Sequence, residues 1–142
     1  MTRKTRIIVI ISMLIIALIG TFIYTAVYNK PHIDVSETAP NISIESSVLL
    51  DDFLNDETQA NSKYLDQIIE ISGAISEITT NKDGNGIITL SNENSIGSVI
   101  CHLSPEENKK INSLKKEQKI TIKGICTGYL MDVILVKCVL VY

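Results

Sequence analysis

The sequence predicts one membrane-spanning helix followed by a single, mainly β domain. Three observations indicate this architecture. The apolar run from Ile7 to Tyr28 carries no charged side chain. Beyond residue 66, apolar residues recur at every second position, which is the period of a strand. One helical segment, after Leu103, interrupts these strands. The chain therefore divides into a cytoplasmic N-terminus (1–6), a transmembrane anchor (7–28), a linker (29–45) and a β domain (46–142).

The apolar run is long enough to cross a bilayer, because a helix of this length spans about 33 Å and a hydrocarbon core about 30 Å. Arg3, Lys4 and Arg6 precede it and only Lys30 follows closely. The positive-inside rule then leaves the N-terminus in the cytoplasm and places the rest in the periplasm or outside the cell. A cleaved signal peptide is the alternative, but its apolar region is shorter and ends at small residues. We expect an uncleaved signal-anchor.

The linker and the charge balance describe an acidic domain on a tether. Asn29 to Asn41 contains Pro31 and Pro40 and few apolar residues, which is typical of a linker. All 16 acidic residues follow Tyr28, and the three basic residues ahead of it leave this part with a net charge of about −6. Such a surface does not favour a polyanionic partner.

A helix is predicted from Ser47 to Ala60, with Ser46 or Ser47 as its cap and its apolar side chains on one face. The period then changes to 2, and Gly73 inside the first strand predicts a bulge or sharp coil there. The five predicted strands are Gln67–Ile78, Ile87–Leu90, Ser98–Leu103, Lys119–Cys126 and Val133–Tyr142.

The helix between the third and fourth strands is marked by Ser104 as cap, Pro105 in the first turn and Glu107 as the partner in a capping box. Ile111 and Leu114 give this helix its apolar side. In the last strand, alternation predicts one inward set: Ile134, Val136, Cys138 and Leu140.

Three strands, one helix and two further strands form the order of an OB-fold. This fold is a five-stranded Greek-key barrel with a helix between strands three and four. The helix from Ser47 to Ala60 would be an N-terminal addition packed on the barrel. Another small β-barrel or an α+β roll is the alternative.

Several segments resemble one family. They are Asn55-Asp56-Glu57 followed by Ala60 and Tyr64, then Leu114 to Tyr129, and finally Asp132-Val133 with Leu135 and Cys138. Over about Ser47 to Tyr142 the chain resembles the tRNA-anti-like family of OB-fold proteins. Glu117 stands where that family often has Gly before the fourth strand. The resemblance implies the fold but no established activity, and it brings no catalytic residues.

The cysteines leave two interpretations open. Cys126 and Cys138 share the inward phase of two adjacent strands, so in an oxidising compartment they could form a disulfide, or they could be two buried thiols. Cys101 is interpreted as a free core residue. No pair has metal-ligand spacing such as C-x-x-C. We therefore predict no metal, no cofactor and no enzymatic activity.

Binding of single-stranded DNA or RNA is the alternative function that an OB-fold suggests. Its candidate residues are Lys115, Lys116, Lys119 and Lys123, with Tyr129 as the one aromatic side chain placed to stack on a base. The predicted second and third strands carry no aromatic residue, and the domain is acidic. A solvated lysine face is therefore the favoured interpretation.

The favoured function is a membrane-tethered, extracytoplasmic, non-enzymatic binding or scaffold module. Tyr129, Leu130 and Met131 form an apolar segment in the loop between the fourth and fifth strands, where OB-folds bind ligands. An envelope protein, a peptide or a glycan is the expected partner. The alternative is that this segment packs on the added helix.

Overall fold

A computed structural model describes residues 3–28, 34–92 and 94–142 of the chain. The chain forms two compact units, Met1–Ile33 and Asp34–Tyr142. In the first unit, helix α1 covers Arg3–Tyr28. Its stretch Arg3–Thr25 is long and apolar enough to cross a membrane. The helix begins before the predicted apolar run because Arg3, Lys4 and Arg6 continue it toward the N-terminus.

Within residues 34–92 and 94–142, the second unit contains six strands, two α-helices and one 3-10 helix. In chain order they are β1 Ile42–Glu45, α2 Ser46–Asn55, α3 Glu57–Tyr64, β2 Ile68–Thr80, β3 Gly86–Leu90, β4 Val99–Leu103, the 3-10 helix η1 Pro105–Ser113, β5 Lys119–Leu130 and β6 Asp132–Val141.

Five of the strands close into a barrel. The sheet order is β1-β2-β3-β4-β6-β5, and β2 also pairs with β5, which joins the two ends of the five-stranded part. β4 and β6 are parallel, while the other barrel pairs are antiparallel. This is the connectivity of an OB-fold, and the predicted fold class is confirmed. Closure leaves no free edge among these five strands.

The sixth strand, β1, lies outside the barrel and within the predicted linker 29–45. It runs parallel to β2 in the register Ile42 with Ile69 and Ile44 with Ile71. Two isoleucines at alternate positions are enough for this strand, because both pack against the core. Upstream, Val35 is 3% exposed and belongs to the same compact unit. The compact unit thus extends upstream of residue 46 to Asp34. Residues 29–33 of the predicted linker lie outside the described part.

The single helix predicted from Ser47 to Ala60 is two helices. Asp56 has extended backbone angles that end α2, and its carboxylate accepts the N–H of Gln59 to cap α3. The predicted Ser cap is also wrong, because Glu45 occupies the cap position of α2 and Ser46 is buried. A Cβ on Gly73 would collide with the Ser46 hydroxyl. Gly73 therefore permits the close approach of α2 to β2. The bulge predicted at Gly73 lies instead between Ile75 and Glu77 of β2.

The predicted phase of the last strand holds for only half of its length. Cys138 and Leu140 are buried as predicted, but Val133 and Leu135 point inward in place of Ile134 and Val136. The change occurs at Lys137, whose φ is 52° and where the register with β4 and β5 shifts. One extra residue reverses the face of every side chain beyond it.

Both ends of the barrel are closed, and the contacts with the two ends of β3 show how. Ile111 of η1 fills the space beside Gly86, the first residue of β3. Leu90, the last residue of β3, and Ser46 of α2 both lie beside Gly73. The capping box predicted for η1 is absent. The Ser104 side chain makes no cap bond, and the Glu107 carboxylate instead accepts the N–H of Leu140 at 3.1 Å.

Candidate functional site

Three large apolar side chains project from two adjoining loops of the domain. Leu130, Met131 and Ile96 are 80%, 82% and 84% exposed. The loops lie together, since a Cβ on Gly97 would be 2.9 Å from the carbonyl oxygen of Met131. Asp132 locks them, because its Oδ1 accepts both the N–H and the hydroxyl of Ser98 at 2.7 Å. We call Ile96, Leu130 and Met131 the apolar tip.

Tyr129 does not belong to this exposed tip. Its ring stacks on Phe53 of α2 at a centroid distance of 5.8 Å and an interplanar angle of 20°. Phe53 in turn meets the ring of Tyr64 at 5.9 Å. For Tyr129 the alternative interpretation therefore holds, because this residue packs on the added helix. Leu130 and Met131 are not covered by the helix in this way and stay exposed.

A groove runs beside the tip, between α3 and the end of β5. Its volume is about 320 Å³, and its apolar walls are Leu65, Tyr129, Leu130 and Ile134. The rest of its lining is polar, from Glu57, Asn61 and Thr127, except for Gly128, which has no side chain. Gly128 has a φ of 119°, and a Cβ there would lie 3.7 Å from a methyl carbon of Leu65. The missing side chain leaves room in what we call the α3–β5 groove.

The α3 wall of this groove is fastened to α2 by polar contacts. The hydroxyl of Tyr64 donates to Oδ2 of Asp52 at 2.5 Å, and Nζ of Lys63 donates to the same oxygen at 3.1 Å. These two hydrogen bonds, the one from Tyr64 above all, lower the pKa of Asp52. Burial, followed by the bond to Asp52, raises the pKa of Tyr64. The groove is thus bordered by a helix that is held in place.

Three of the five residues of the nucleic-acid alternative are engaged within the domain. Lys123 is 9% exposed and its Nζ donates to the carbonyl oxygens of Ser36 and Thr38 at 3.1 and 2.9 Å. Lys119 lies 3.7 Å from a carboxylate oxygen of Glu45. Tyr129 is the stacked ring described above.

The other two lysines, Lys115 and Lys116, are exposed. Lys116 borders an open cavity of about 590 Å³ together with Ser76, Ser91, Asn92 and Glu117. No aromatic side chain lines that cavity among the residues the structure describes. Of the five candidates, Lys123 and Tyr129 are thus occupied by contacts inside the domain, whereas Lys115 and Lys116 are exposed.

The three cysteines are buried and free. In the register of β5 with β6, Leu135 lies opposite Cys126. Cys138 lies elsewhere, because a Cβ on Gly124 would be 2.5 Å from its Sγ. Burial raises the pKa of Cys126. Burial, together with a hydrogen bond to the Cys101 thiol, raises the pKa of Cys138. The structure thus presents the free-thiol form of the two interpretations, with Cys138 beside Cys101.

Within residues 3–28, 34–92 and 94–142, no cluster of three His, Cys, Asp or Glu side chains is placed to hold a metal ion. That the chain uses no metal or cofactor stays a prediction.

Sequence reasoning missed Ile96, Leu65 and Glu57 as members of this surface. A signal for Ile96 was present, because it is the one large apolar residue between Ser91 and Ser98. Leu65 and Glu57 gave no comparable signal, since their proximity to β5 depends on where α3 ends.

The family comparison covers almost the whole chain. The model of the tRNA_anti-like family matches residues 1–140. The chain belongs to this family. The resemblance inferred from the residues is confirmed. No curated protein matches this tRNA_anti-like chain in sequence.

Three solved structures are similar to the chain to different extents. A Klebsiella pneumoniae lipoprotein, provisionally described as nucleic acid-binding, superposes with a TM-score of 0.61 at 16% identity and covers 80% of this chain and 100% of its own. The Schizosaccharomyces pombe Stn1–Ten1 complex gives 0.40 at 16% identity, over 52% and 57%. A Leishmania major protein, provisionally described as an aspartyl-tRNA synthetase, gives 0.46 at 12% identity, over 74% and 22%. The superposition on the Klebsiella pneumoniae lipoprotein supports the fold of the tRNA_anti-like chain, and its 16% identity supports nothing further.

Proposed function

We propose that this chain is a membrane-tethered, non-enzymatic binding module that contacts a protein or peptide outside the cytoplasm through its apolar tip. The observation that carries the proposal is the exposure of Ile96, Leu130 and Met131, each at least 80% exposed. Large apolar side chains grouped on a surface are typical of contacts with another protein. A glycan would be expected to use aromatic and hydrogen-bonding groups, and the tip has no such side chain.

The tether is α1. Its length and composition suit a single span, and Arg3, Lys4 and Arg6 at its start favour a cytoplasmic N-terminus. An uncleaved anchor keeps the chain in the membrane fraction through a carbonate wash, whereas a cleaved signal would release it. A reporter that is active only outside the cytoplasm, fused after Tyr142, should be active. Activity of a cytoplasm-dependent reporter at the same position would reverse the proposed orientation.

Binding of single-stranded nucleic acid is the second candidate, because the Klebsiella pneumoniae lipoprotein of the same fold carries that description. Lys123 and Tyr129 are occupied by contacts inside the domain, which weakens this candidate. A titration of a single-stranded oligonucleotide at several salt concentrations tests it. Affinity that falls steeply with salt would favour it over the protein partner.

The tip itself is tested by photo-crosslinking in cells, with a photoreactive amino acid at position 131. We expect a discrete cross-linked partner that is lost when Ile96→Ser and Leu130→Ser are combined. Val48→Ser is the matched control, because Val48 is an apolar residue of α2 that is 46% exposed and outside the tip. A cross-link unchanged by the tip substitutions, or lost equally in the control, would reject the tip as the binding surface.

A further inference from the structure

The α3–β5 groove combines an apolar interior with a single charge. Leu65 and Leu130 are 41% and 80% exposed although both are large and apolar. Together with Ile134 they border a space of about 320 Å³, which exceeds the volume of one aliphatic side chain. An apolar side chain entering this space would remove both leucines from water, which is the favourable contribution expected of such a site.

The groove is formed before any partner arrives. Tyr129, one of its walls, is held by stacking on Phe53. The opposite wall, α3, is held by the Asp56 cap and by the bonds of Tyr64 and Lys63 to Asp52. A preformed site loses little conformational freedom on binding, so even a short segment can occupy it.

The α3–β5 groove carries charge of one sign only. Glu57 opens α3 and lies along the groove, and no Lys, Arg or His is among the residues that line it. In the described part of the chain the ion pairs involve Asp52, Glu107 and Glu45, so Glu57 has none. A cation beside an inserted apolar side chain would meet this carboxylate, whereas an anion would be repelled.

We propose that the α3–β5 groove receives an apolar side chain of a partner peptide, with an adjacent lysine or arginine of that peptide placed at Glu57. The inference rests on the proposed function and specifies it: the partner carries a short segment in which an apolar and a basic residue are neighbours. The apolar tip then enlarges the area of contact with the partner, and the groove determines which peptide sequence binds.

The test uses the full chain in phosphatidylcholine nanodiscs and three capped tetrapeptides, Ser-Leu-Lys-Ser, Ser-Leu-Glu-Ser and Ser-Ser-Lys-Ser. Binding is followed by the NMR shifts of the backbone amides of Leu65, Gly128 and Leu130. We expect the Leu-Lys peptide to shift these amides and to bind about two- to fivefold more tightly than the Leu-Glu peptide, as an exposed ion pair would allow. The peptide without leucine should bind more weakly than both.

Two variants assign the contacts. Glu57→Gln should abolish the preference for lysine over glutamate without changing the backbone amide resonance of Ser62, which lies on α3 outside the groove lining. Leu65→Ser should weaken both leucine peptides by about fivefold, as expected for one lost apolar contact. Val48→Ser, on α2, should change neither.

Equal binding of the Leu-Lys and Leu-Glu peptides, shifts confined to residues outside the groove, or no shift at millimolar peptide would each overturn the inference. These outcomes are separable from failure of the proposed function. If the cellular cross-link at position 131 still depends on the tip while no peptide binds, the binding module stands and the groove is rejected. If the peptides bind as expected while the cross-link ignores the tip, the groove stands as a peptide site and the role of the tip fails.

Discussion

At one end of the barrel α2 inserts Leu49, Leu50 and Phe53, whereas at the other end η1 places Ile111 and the carboxylate of Glu107. The α2 end is closed mainly by these apolar side chains, and Ser46 is the buried polar residue of α2 there. The η1 end needs a buried acid, 8% exposed, that bonds to the backbone of β6.

This difference bears on which end the proposed partner would contact. The carboxylate of Glu107 satisfies the N–H of Leu140 and pairs with Lys110 at 2.8 Å, so its polar groups are already used. At the α2 end the apolar side chains continue outward from Phe53 through Tyr129 to the exposed Leu130. Apolar surface left in water favours association, and satisfied polar surface does not.

The largest expected effect comes from removing the apolar closure. Phe53 is 1% exposed and contacts two aromatic rings, so Phe53→Ala should lower the free energy of unfolding by about 3–5 kcal/mol. Urea unfolding of the full chain in mild detergent, followed by tyrosine fluorescence, measures this. Leu130→Ala is the control and should cost less than about 0.5 kcal/mol, because Leu130 is exposed. Similar losses in the two variants would mean that α2 is not a closure of the core.

The polar closure should be the next most costly to remove. Glu107→Ala leaves the buried N–H of Leu140 without an acceptor and should cost about 2–3 kcal/mol. Glu107→Gln keeps an acceptor for that N–H and should cost about 1 kcal/mol. The same urea titration measures both. If the two substitutions cost the same, the hydrogen bond to β6 is not what the carboxylate contributes.

A third prediction returns to the α2 end and uses pH. The folded pKa of Asp52 is lowered by the bonds from Tyr64 and Lys63, so its contribution is present above the unfolded pKa and is lost as pH falls through the folded one. At pH 7, Asp52→Asn should cost about 1 kcal/mol, the low end for a charged hydrogen bond, because Asp52 is partly exposed.

Thermal unfolding of the wild type and of Asp52→Asn, compared from pH 7 to pH 3, measures this contribution. The difference in Tm should be constant down to about pH 4 and narrow below it. Asp51→Asn is the control, because Asp51 is an exposed neighbour on the same helix. A difference that widens on acidification would contradict the assignment.

The order of the elements could be predicted from the sequence because the strands alternate and because α1 has no charge within its apolar run. Two local features could not be predicted. β1 is four residues long and has two isoleucines, too short a pattern to separate from a linker. The bulge at Lys137 depends on a φ of 52°. A lysine at this position does not predict such a backbone angle.

Within the candidate site, the sequence proposed Tyr129, Leu130 and Met131 together and could not distinguish the stacked ring from the two exposed side chains. The three are consecutive and apolar, and only the position of Phe53 decides that the first is covered. Lys123 is the converse case, a residue that was expected to be exposed and is buried. The sequence favours a solvated side chain for a lysine in this strand. In the structure the segment from Ser36 to Thr38 covers it and accepts two hydrogen bonds from it.

The smallest expected effect concerns the turn that follows η1. Glu117 stands where the family often has glycine, and its φ is 68°, a left-handed conformation that disfavours side chains with a Cβ. Its N–H donates to the carbonyl oxygen of Ile75 at 2.7 Å, which holds the turn in that conformation. Glu117→Gly removes the strain, of about 1 kcal/mol, and adds the chain entropy of a glycine, of about 0.5 kcal/mol or more.

The net gain in stability should therefore be about 0.5 kcal/mol at most. Urea midpoints of the wild type, Glu117→Gly and Glu117→Ala measure it. The alanine variant is the control, because it removes the carboxylate but keeps the Cβ, and it should gain nothing. If glycine is less stable than alanine, the turn relaxes out of the left-handed region in solution. The η1 end would then carry no backbone strain, and its difference from the α2 end would lie in the buried Glu107 alone.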